Sequence, residues 1–199
     1  MRRLAYAAMT FATARTSIPA MRDERRVAYA VIELQNTWCE FARCLFLTYA
    51  LGGREPNGSW VNHRLGGINR VGDAIEEASC FFNPKLRGAR LIRRRDEPHW
   101  HPRTTLTRLV AHFGFSNAPD ILTGLSVQTR LFDDLPPLRN FYSHKSGDSS
   151  RVARELARFY QVRTPRHPTD LVLSVEPGRP QSIGEDWVSE LRDIVETLT

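Results

Sequence analysis

The sequence contains few cysteines and few lysines, and it has no long apolar run. Cysteine occurs only as Cys39, Cys44 and Cys80, an odd number with no Cys-x-x-Cys pair. Neither a disulfide framework nor a cysteine-based zinc site is therefore expected, and the predicted compartment is the reducing cytoplasm. No stretch of about 18 consecutive apolar residues occurs, so a transmembrane helix is not expected.

The beginning of the chain is consistent with more than one interpretation. The stretch MRRLAYAAMTFATA faintly resembles a secretory signal, because arginines precede a short apolar segment. Tyr6, Thr10 and Thr13 interrupt that segment, so a first amphipathic helix is the better interpretation. Met21 is a second candidate start, in which case the residues before it are an extension.

Positive charge is concentrated in one segment of the chain. The net charge is +6, and lysine occurs only as Lys85 and Lys145, so arginine supplies most of the cations. From Lys85 to Arg108 the segment has eight basic residues and two carboxylates, so it alone carries a charge equal to that of the whole chain. The run LIRRRDEPHWHPR inside it adds an aromatic side chain and two histidines.

Basic residues interleaved with an aromatic side chain suit a phosphate backbone and unstacked bases. A solvated basic loop is the alternative interpretation, since an excess of arginine over lysine can also reflect a GC-rich genome. We expect RNA contacts from five basic residues, namely Arg93, Arg94, Arg95, Lys145 and Arg151.

The histidines of this region are a weaker signal. His99, His101 and His112 are conceivable metal ligands, but a His-x-His pair flanked by prolines is more typical of a loop. We therefore expect neither a metal nor another cofactor.

The spacing of apolar residues predicts an all-α protein, built as a helical bundle. The clearest element is residues 22–51, where apolar residues recur at helical spacing up to Gly52-Gly53. Ser182 and Glu185 have capping-box spacing and open a terminal helix. The predicted helices are 4–16, 22–51, 68–82, 103–113, 118–132, 149–161 and 182–198. We expect a bundle domain at 1–163 and a C-terminal appendage at 164–199 packed on it.

The appendage contains the one strand-like run, DLVLSVE at residues 170–176. A single strand needs a partner. The candidates are ARLIRR at residues 89–94 or a strand from another subunit. We expect at most a short strand or hairpin beside the terminal helix.

A short polar segment, LRNFYSHKSGD at residues 138–148, carries the candidate site. Pro137 is expected in the first turn of a helix that Asp133 or Asp134 caps and that Ser146-Gly147 ends. At about 100° per residue, the three large apolar side chains of the segment share one arc, which would dock into the bundle. These are Leu138, Phe141 and Tyr142. The opposite arc presents Arg139, Asn140, Ser143 and His144 to solvent.

These four polar side chains favour proton transfer beside an anion. The donors of an arginine match phosphate oxygens, and a histidine can accept or donate a proton near neutral pH. An asparagine can orient an imidazole or bind a phosphate oxygen. The patch has no carboxylate, which argues against metal binding. RNA is a suitable substrate, because its own 2′-hydroxyl can attack the adjacent phosphate.

The sequence RNFYSH resembles the Arg-x4–6-His motif of the HEPN superfamily, in the common form with Asn after Arg. The resemblance implies an α-helical bundle that dimerises so that two motifs meet in one composite site. It also implies a metal-independent endoribonuclease of a toxin–antitoxin, abortive-infection or CRISPR-associated system. Many HEPN-like proteins bind RNA or a partner without cutting. A non-catalytic RNA-binding or regulatory subunit is therefore one alternative, and a protein-interaction bundle is another.

The resemblance also implies roles for the motif residues. Arg139 would bind the scissile phosphate, and His144 would serve in acid–base catalysis, with Asn140 and Ser143 in support. The products would carry a 2′,3′-cyclic phosphate and a 5′-hydroxyl. Expected partners are RNA, a second copy of the chain and an antitoxin or other defence protein. Some family toxins carry a tyrosine two residues after the histidine, which a nucleotidyltransferase modifies, but position 146 here is Ser.

Overall fold

The computed structural model describes residues 2–18, 23–55, 57–88 and 93–199. The alternative start at Met21 and most of the candidate strand at 89–94 lie outside these ranges. Within them, the all-α prediction is confirmed, since nine α-helices and no β-strand occur. None of these helices has both the length and the apolar composition that crossing a bilayer requires.

The helix bounds follow the apolar spacing closely in most of the chain. The helix predicted at 22–51 is α2, and the one predicted at 103–113 has the same bounds as α4. The nine helices are α1 (Arg2–Thr16), α2 (Glu24–Ala50), α3 (Val71–Phe82), α4 (Arg103–Phe113), α5 (Ala118–Leu125), α6 (Leu131–His144), α7 (Gly147–Glu155), α8 (Pro168–Val172) and α9 (Ile183–Thr197). Single 3₁₀ turns occur at Pro84–Leu86, Arg94–Asp96 and Leu156–Phe159.

The chain forms two compact units, and the first combines two segments that are far apart in the sequence. This unit contains Met1–Trp38 and Gln128–Ile194, so the boundary predicted at 163/164 falls inside it. Trp38 and Trp187 are both 1% exposed and belong to its core. A Cβ atom at Gly184 would lie 2.8 Å from Val172 Cγ1, so glycine is what allows α9 to approach α8 this closely.

The second unit contains Cys39–Val127 and Val195–Thr199. It holds the second part of α2 together with α3, α4 and α5. Its core is aromatic: the ring centroid of Phe46 lies 4.9 Å from that of Phe113 and 5.5 Å from that of Trp100. All three rings are buried.

The helix predicted at 118–132 is wrong in its second half. α5 ends at Leu125, and α6 begins only at Leu131. The guanidinium of Arg103 donates hydrogen bonds to the carbonyl oxygens of Leu125, at 3.3 Å, and Val127, at 2.8 Å. A cation from α4 thus satisfies carbonyls at the end of α5, which stabilises the break.

The strand predicted at 170–176 is also wrong. Its first residues belong to α8, and only Val175 forms a β-type pair, an isolated antiparallel bridge with Ser182. Leu171 and Val172 are both fully buried, and Leu173 is 6% exposed. A short run that is buried on all sides has no periodicity that separates a strand from a helix.

Candidate functional site

The motif occupies the C-terminal part of α6, and this helix begins earlier than predicted. It starts at Leu131 instead of Pro137, so that Pro136 and Pro137 both lie inside it. Leu131, Phe132 and Leu135 are buried ahead of the prolines or beside them. The burial of these apolar side chains stabilises helical turns that the intrinsic preference of proline opposes.

The start of α6 is anchored by a buried carboxylate. Neither Asp133 nor Asp134 is the N-cap, which is Arg130, so the predicted cap is wrong. Asp134 is fully buried and accepts hydrogen bonds from the Tyr160 hydroxyl and, at 2.8 Å, from the Arg130 guanidinium. Trp187 Nε1 donates to the Tyr160 oxygen at 3.0 Å. Burial raises the pKa of Asp134, although the bonds from Tyr160 and Arg130 oppose that rise.

The apolar side of the motif is buried, as its helical spacing predicts. Leu138 is 0%, Phe141 6% and Tyr142 7% exposed. The Tyr142 hydroxyl lies 3.0 Å from Thr169 Oγ1, which supplies the partner that a buried phenol needs. Burial also raises the pKa of Tyr142 above its ordinary value. These contacts fix the rotation of α6 about its axis.

The polar side of the motif faces solvent. Arg139, Asn140, Ser143 and His144 are all exposed. Across the part of the chain that the structure describes, none of these four side chains has a hydrogen-bond or ion-pair partner. The predicted arc is therefore confirmed, and its guanidinium, amide, hydroxyl and imidazole groups are available to a ligand.

The end of the motif is a sharp reversal into α7. Lys145 has a φ of 49° and its N–H donates to the Phe141 carbonyl at 2.6 Å, which ends α6. Ser146 then caps α7: its Oγ accepts from the Ser149 N–H at 3.1 Å, and its own N–H donates to Ser149 Oγ at 3.1 Å. The stop predicted at Ser146-Gly147 therefore lies one residue too late. Lys145 is exposed directly after His144.

A groove of about 870 Å³ borders the end of α6 in the first unit. Phe141, Tyr142 and Lys145 line it together with residues from the start of α2 and with His167. The His167 ring centroid lies 5.2 Å from that of Phe141, edge to face. Its Nδ1 accepts the Thr169 N–H at 3.2 Å, so Nε2 is the ring nitrogen that can donate into the groove.

Two residues of this groove were missed by the sequence reasoning. Tyr29 lies on α2 and is 53% exposed, but the sequence gives no signal that separates it from the buried residues of the same apolar run. His167 precedes Pro168, which occupies the first turn of α8. That pattern signals a helix start, and His167 is indeed the N-cap.

The five predicted RNA contacts are all exposed, but they belong to different units. Lys145 and Arg151 are in the first unit with the motif, and Arg93, Arg94 and Arg95 are in the second. Three of them have carboxylate neighbours. Arg94 lies 2.6 Å from Glu97, Arg95 lies 3.8 Å from Asp96, and Arg151 lies 2.8 Å from Glu155. The pairs of Arg95 and Arg151 are exposed and weak, so these two arginines can still exchange their partners for a phosphate, whereas Arg94 is held by the buried carboxylate of Glu97.

The histidines of the basic segment do not form a cluster. The rings of His99 and His101 are 5.8 Å apart between centroids. His112 stacks on Phe81, and its Nε2 lies 2.8 Å from Glu77 Oε1. Among the residues that the structure describes, no group of three or more His, Cys, Asp or Glu side chains is placed to hold a metal ion.

Comparisons of the chain with protein-family models, with curated proteins and with solved structures found no match. The functional interpretation therefore rests on the motif, its placement and its chemistry.

Proposed function

We propose that this chain is a HEPN-like, metal-independent endoribonuclease of a toxin or phage-defence system. The observation that carries the proposal is the division of α6 into two faces. Leu138, Phe141 and Tyr142 are buried, whereas Arg139 and His144 are exposed without partners in the described chain. Polar side chains are ordinary on the solvent face of a helix, so the support comes from the pairing of a cation with an imidazole in the spacing of the RNFYSH motif.

The proposed reaction is an internal transfer at phosphorus. The 2′-oxygen of a ribose forms a bond to the adjacent phosphorus while the bond from phosphorus to the 5′-oxygen breaks. The His144 imidazole takes the proton of the 2′-hydroxyl and returns a proton to the leaving 5′-oxygen, so no other reactant is consumed. Arg139 binds the non-bridging phosphate oxygens and stabilises the added negative charge of the transition state.

Two neighbours support these roles. The Asn140 amide can hold the imidazole or a phosphate oxygen, and the Ser143 hydroxyl can donate to the same phosphate. Lys145 follows His144 and is exposed, which suits a contact to the RNA backbone. Lys145 also lines the groove beside α6, whereas the four polar motif side chains are not among its described lining residues.

The proposal extends to partners and compartment. The chain acts on RNA as a homodimer in which two motifs face each other, and an antitoxin or another defence protein controls it. An odd number of cysteines fits a reducing cytoplasm. The first unit also carries large exposed apolar side chains that a second copy could cover, namely Tyr6, Met9, Ile18 and Tyr29.

The proposal is tested by incubating purified protein with total cellular RNA in EDTA, followed by analysis of the product ends. We expect wild type to leave 2′,3′-cyclic phosphates and 5′-hydroxyls. His144→Ala and Arg139→Ala should each lower the rate by about 10²–10⁴. Arg163→Ala is the matched control, because Arg163 is an exposed arginine of the same unit outside the motif, and it should cut as wild type does.

Three results would count against this function. Cleavage that persists in His144→Ala, or that EDTA abolishes, rejects the proposed mechanism. If wild type binds RNA with a strong salt dependence but does not cut it, the non-catalytic RNA-binding alternative replaces the ribonuclease.

A further inference from the structure

A second pocket lies in the second unit, between the end of α3 and the start of α4. Its volume is about 370 Å³, within the size range of small-ligand pockets. Phe82 and Asn83 line it from the α3 side, and Arg95 and His99 line it from the loop that precedes α4. The proposed ribonuclease reaction uses none of these residues in catalysis.

Among the described residues that line this pocket, one buried side-chain atom has no hydrogen-bond partner. Ser79 lines the pocket and is 1% exposed, and its Oγ is buried without a hydrogen bond in the described chain. A buried hydroxyl without a partner costs free energy, so most such groups are paired in folded proteins. A ligand whose edge reaches Ser79 Oγ would supply the missing partner.

The loop on the other side of the pocket is held rigidly. Glu97 accepts hydrogen bonds from Arg43 at 2.8 Å, from Arg94 at 2.6 Å and from Trp100 Nε1 at 3.1 Å. Burial by itself would raise the pKa of Glu97, but these three bonds outweigh it and lower that pKa. The Thr105 hydroxyl also donates to the His99 carbonyl at 2.7 Å. The pocket is therefore shaped before any ligand arrives.

The described lining of the pocket holds two carboxylates, Asp96 and Glu97, and one arginine, Arg95, which is the group that can meet a phosphate. Glu97 is neutralised by its two arginine partners, and Asp96 accepts the Arg93 N–H at 3.1 Å. Arg95 is 75% exposed in its side chain and lies 3.8 Å from Asp96, so it can turn to a phosphate at the pocket mouth. Arg108 lies 4.5 Å above the Phe82 ring and helps to keep that ring in place.

We propose that this pocket binds a nucleobase against Phe82, with the base edge on Ser79 Oγ and its phosphate on Arg95. An aromatic wall, a buried hydroxyl, an amide and a cation are the groups that recognise an unstacked base and its backbone. The base comes either from a single RNA strand or from a free nucleotide. This inference does not require the motif on α6 to be catalytic.

The test measures binding to the full-length wild-type chain with two probes. The first is a labelled single-stranded 2′-O-methyl RNA, which cannot be cleaved through its 2′-oxygen, followed by fluorescence anisotropy. The second is each of the four nucleoside monophosphates, followed by calorimetry. The variants are Ser79→Ala and Phe82→Leu. Phe81→Leu is the matched control, because Phe81 is the half-buried neighbour on α3 and does not line the pocket.

We expect Ser79→Ala to weaken binding about threefold to tenfold, and Phe82→Leu about tenfold or more. Ser79→Ala should not lower the melting temperature, because the lost hydroxyl has no partner within the protein. Phe81→Leu should bind as wild type does. If the substitutions weaken binding of both probes, a free nucleotide is sufficient to occupy the pocket. If they weaken binding of the RNA alone, the pocket takes a base that belongs to a strand.

The inference is overturned if neither probe binds, or if Ser79→Ala and Phe82→Leu bind both probes as tightly as wild type. It is also overturned if Ser79→Ala lowers the melting temperature while binding is unchanged, since the hydroxyl is then structural. Because the RNA probe lacks a 2′-hydroxyl, a failure of the ribonuclease proposal leaves these readouts intact.

Discussion

Asp134 links the protonation of a single residue to the stability of the helix that carries the motif. Its carboxylate is 0% exposed, and burial raises its pKa above the ordinary value of 3.8. The Tyr160 hydroxyl and the Arg130 guanidinium donate to it and reduce that rise. A raised pKa means that the folded state binds the proton more tightly than the unfolded state does. Stability from this residue is therefore complete below pH 3.8 and is lost as the pH rises through the folded-state pKa.

We therefore predict that Asp134→Asn changes the pH dependence of the free energy of unfolding. Wild type should lose free energy of unfolding relative to Asp134→Asn as the pH rises above 3.8. The loss should be about 1.4 kcal/mol per pH unit between the unfolded-state and the folded-state pKa of Asp134. Urea unfolding over a series of pH values measures it. Asp133→Asn is the matched control, because Asp133 is the exposed neighbour on α6.

Asp133→Asn keeps the Asp134 carboxylate, so the free energy of unfolding of this variant should still decrease as the pH rises above 3.8. If wild type instead gains free energy of unfolding relative to Asp134→Asn as the pH rises, the bonds from Tyr160 and Arg130 outweigh burial, and the pKa of Asp134 is lowered.

At the scale of the element, the end of α6 depends on a residue in the left-handed region. Lys145 has a φ of 49°, and Gln161 has a φ of 53° after the 3₁₀ turn Leu156–Phe159. Residues other than glycine are strained in that region, whereas glycine adopts it readily. Only one of the two, Lys145, follows the motif.

Replacement of each residue by glycine separates the structural role of Lys145 from its proposed contact with RNA. Lys145→Gly and Gln161→Gly should each raise the free energy of unfolding by roughly 0.5–1 kcal/mol. Glycine removes the backbone strain at positive φ, and this gain exceeds the extra conformational entropy that glycine loses on folding. Only Lys145→Gly should weaken RNA binding, and the slope of log affinity against log salt should fall by about 0.7. Thermal melting and anisotropy titrations at several salt concentrations measure the two effects. Equal RNA affinity in both variants would remove Lys145 from the proposed interface.

The bounds of helices with a continuous apolar periodicity were predictable from the sequence. The bounds of helices that depend on contacts distant in the sequence were not. The spacing in α2 and α4 fixes their bounds within two residues, because each has a continuous apolar face. α5 ends where Arg103 reaches its last carbonyls, which is a contact between residues 22 positions apart. The two prolines in α6 likewise concealed its true start, because burial of Leu131 overrides their local preference.

In the candidate site, too, local spacing was predictable and contacts between distant residues were not. The 100° step of a helix predicts which side chains of residues 138–144 in α6 are buried and which are exposed. The structure confirms the prediction for all seven side chains. His167 and Tyr29 come near Phe141 and Tyr142 only through the fold, so no local pattern assigns them to the same groove. Ser79 is equally hidden, because a serine inside a helix carries no signal that it lacks a partner.

At the scale of the whole molecule, the chemistry is divided between two units of the same chain. The motif belongs to the first unit, and the run from Arg93 to Arg95 belongs to the second. The sequence shows a net charge of +6 without showing that Arg94, Arg95 and Arg151 have carboxylate neighbours. The exposed charge available to RNA is therefore smaller than the count of arginines indicates. This makes the residues without partners, Arg139 among them, the more informative targets for mutation.

The proposed composite site makes a prediction about mixtures of two inactive variants. One motif supplies one cation and one imidazole, so two copies that face each other share these groups across a two-fold axis. A dimer of Arg139→Ala with His144→Ala would still hold an intact arginine from one copy and an intact histidine from the other. Neither variant alone offers both, so the mixed dimer should cut RNA although its parents do not.

We therefore expect a mixture of purified Arg139→Ala and His144→Ala to recover at most about half of wild-type activity, since random exchange places about half of the chains in mixed dimers. Light scattering before mixing establishes that each variant is a dimer, and a tagged copy of one variant reports that exchange has occurred. The control is a mixture of His144→Ala with tagged His144→Ala, which should stay inactive. If exchange is complete and the mixture is still inactive, or if wild type cuts as a monomer, the site is contained within one chain. In that case Arg139 and His144 act on RNA from the same α6.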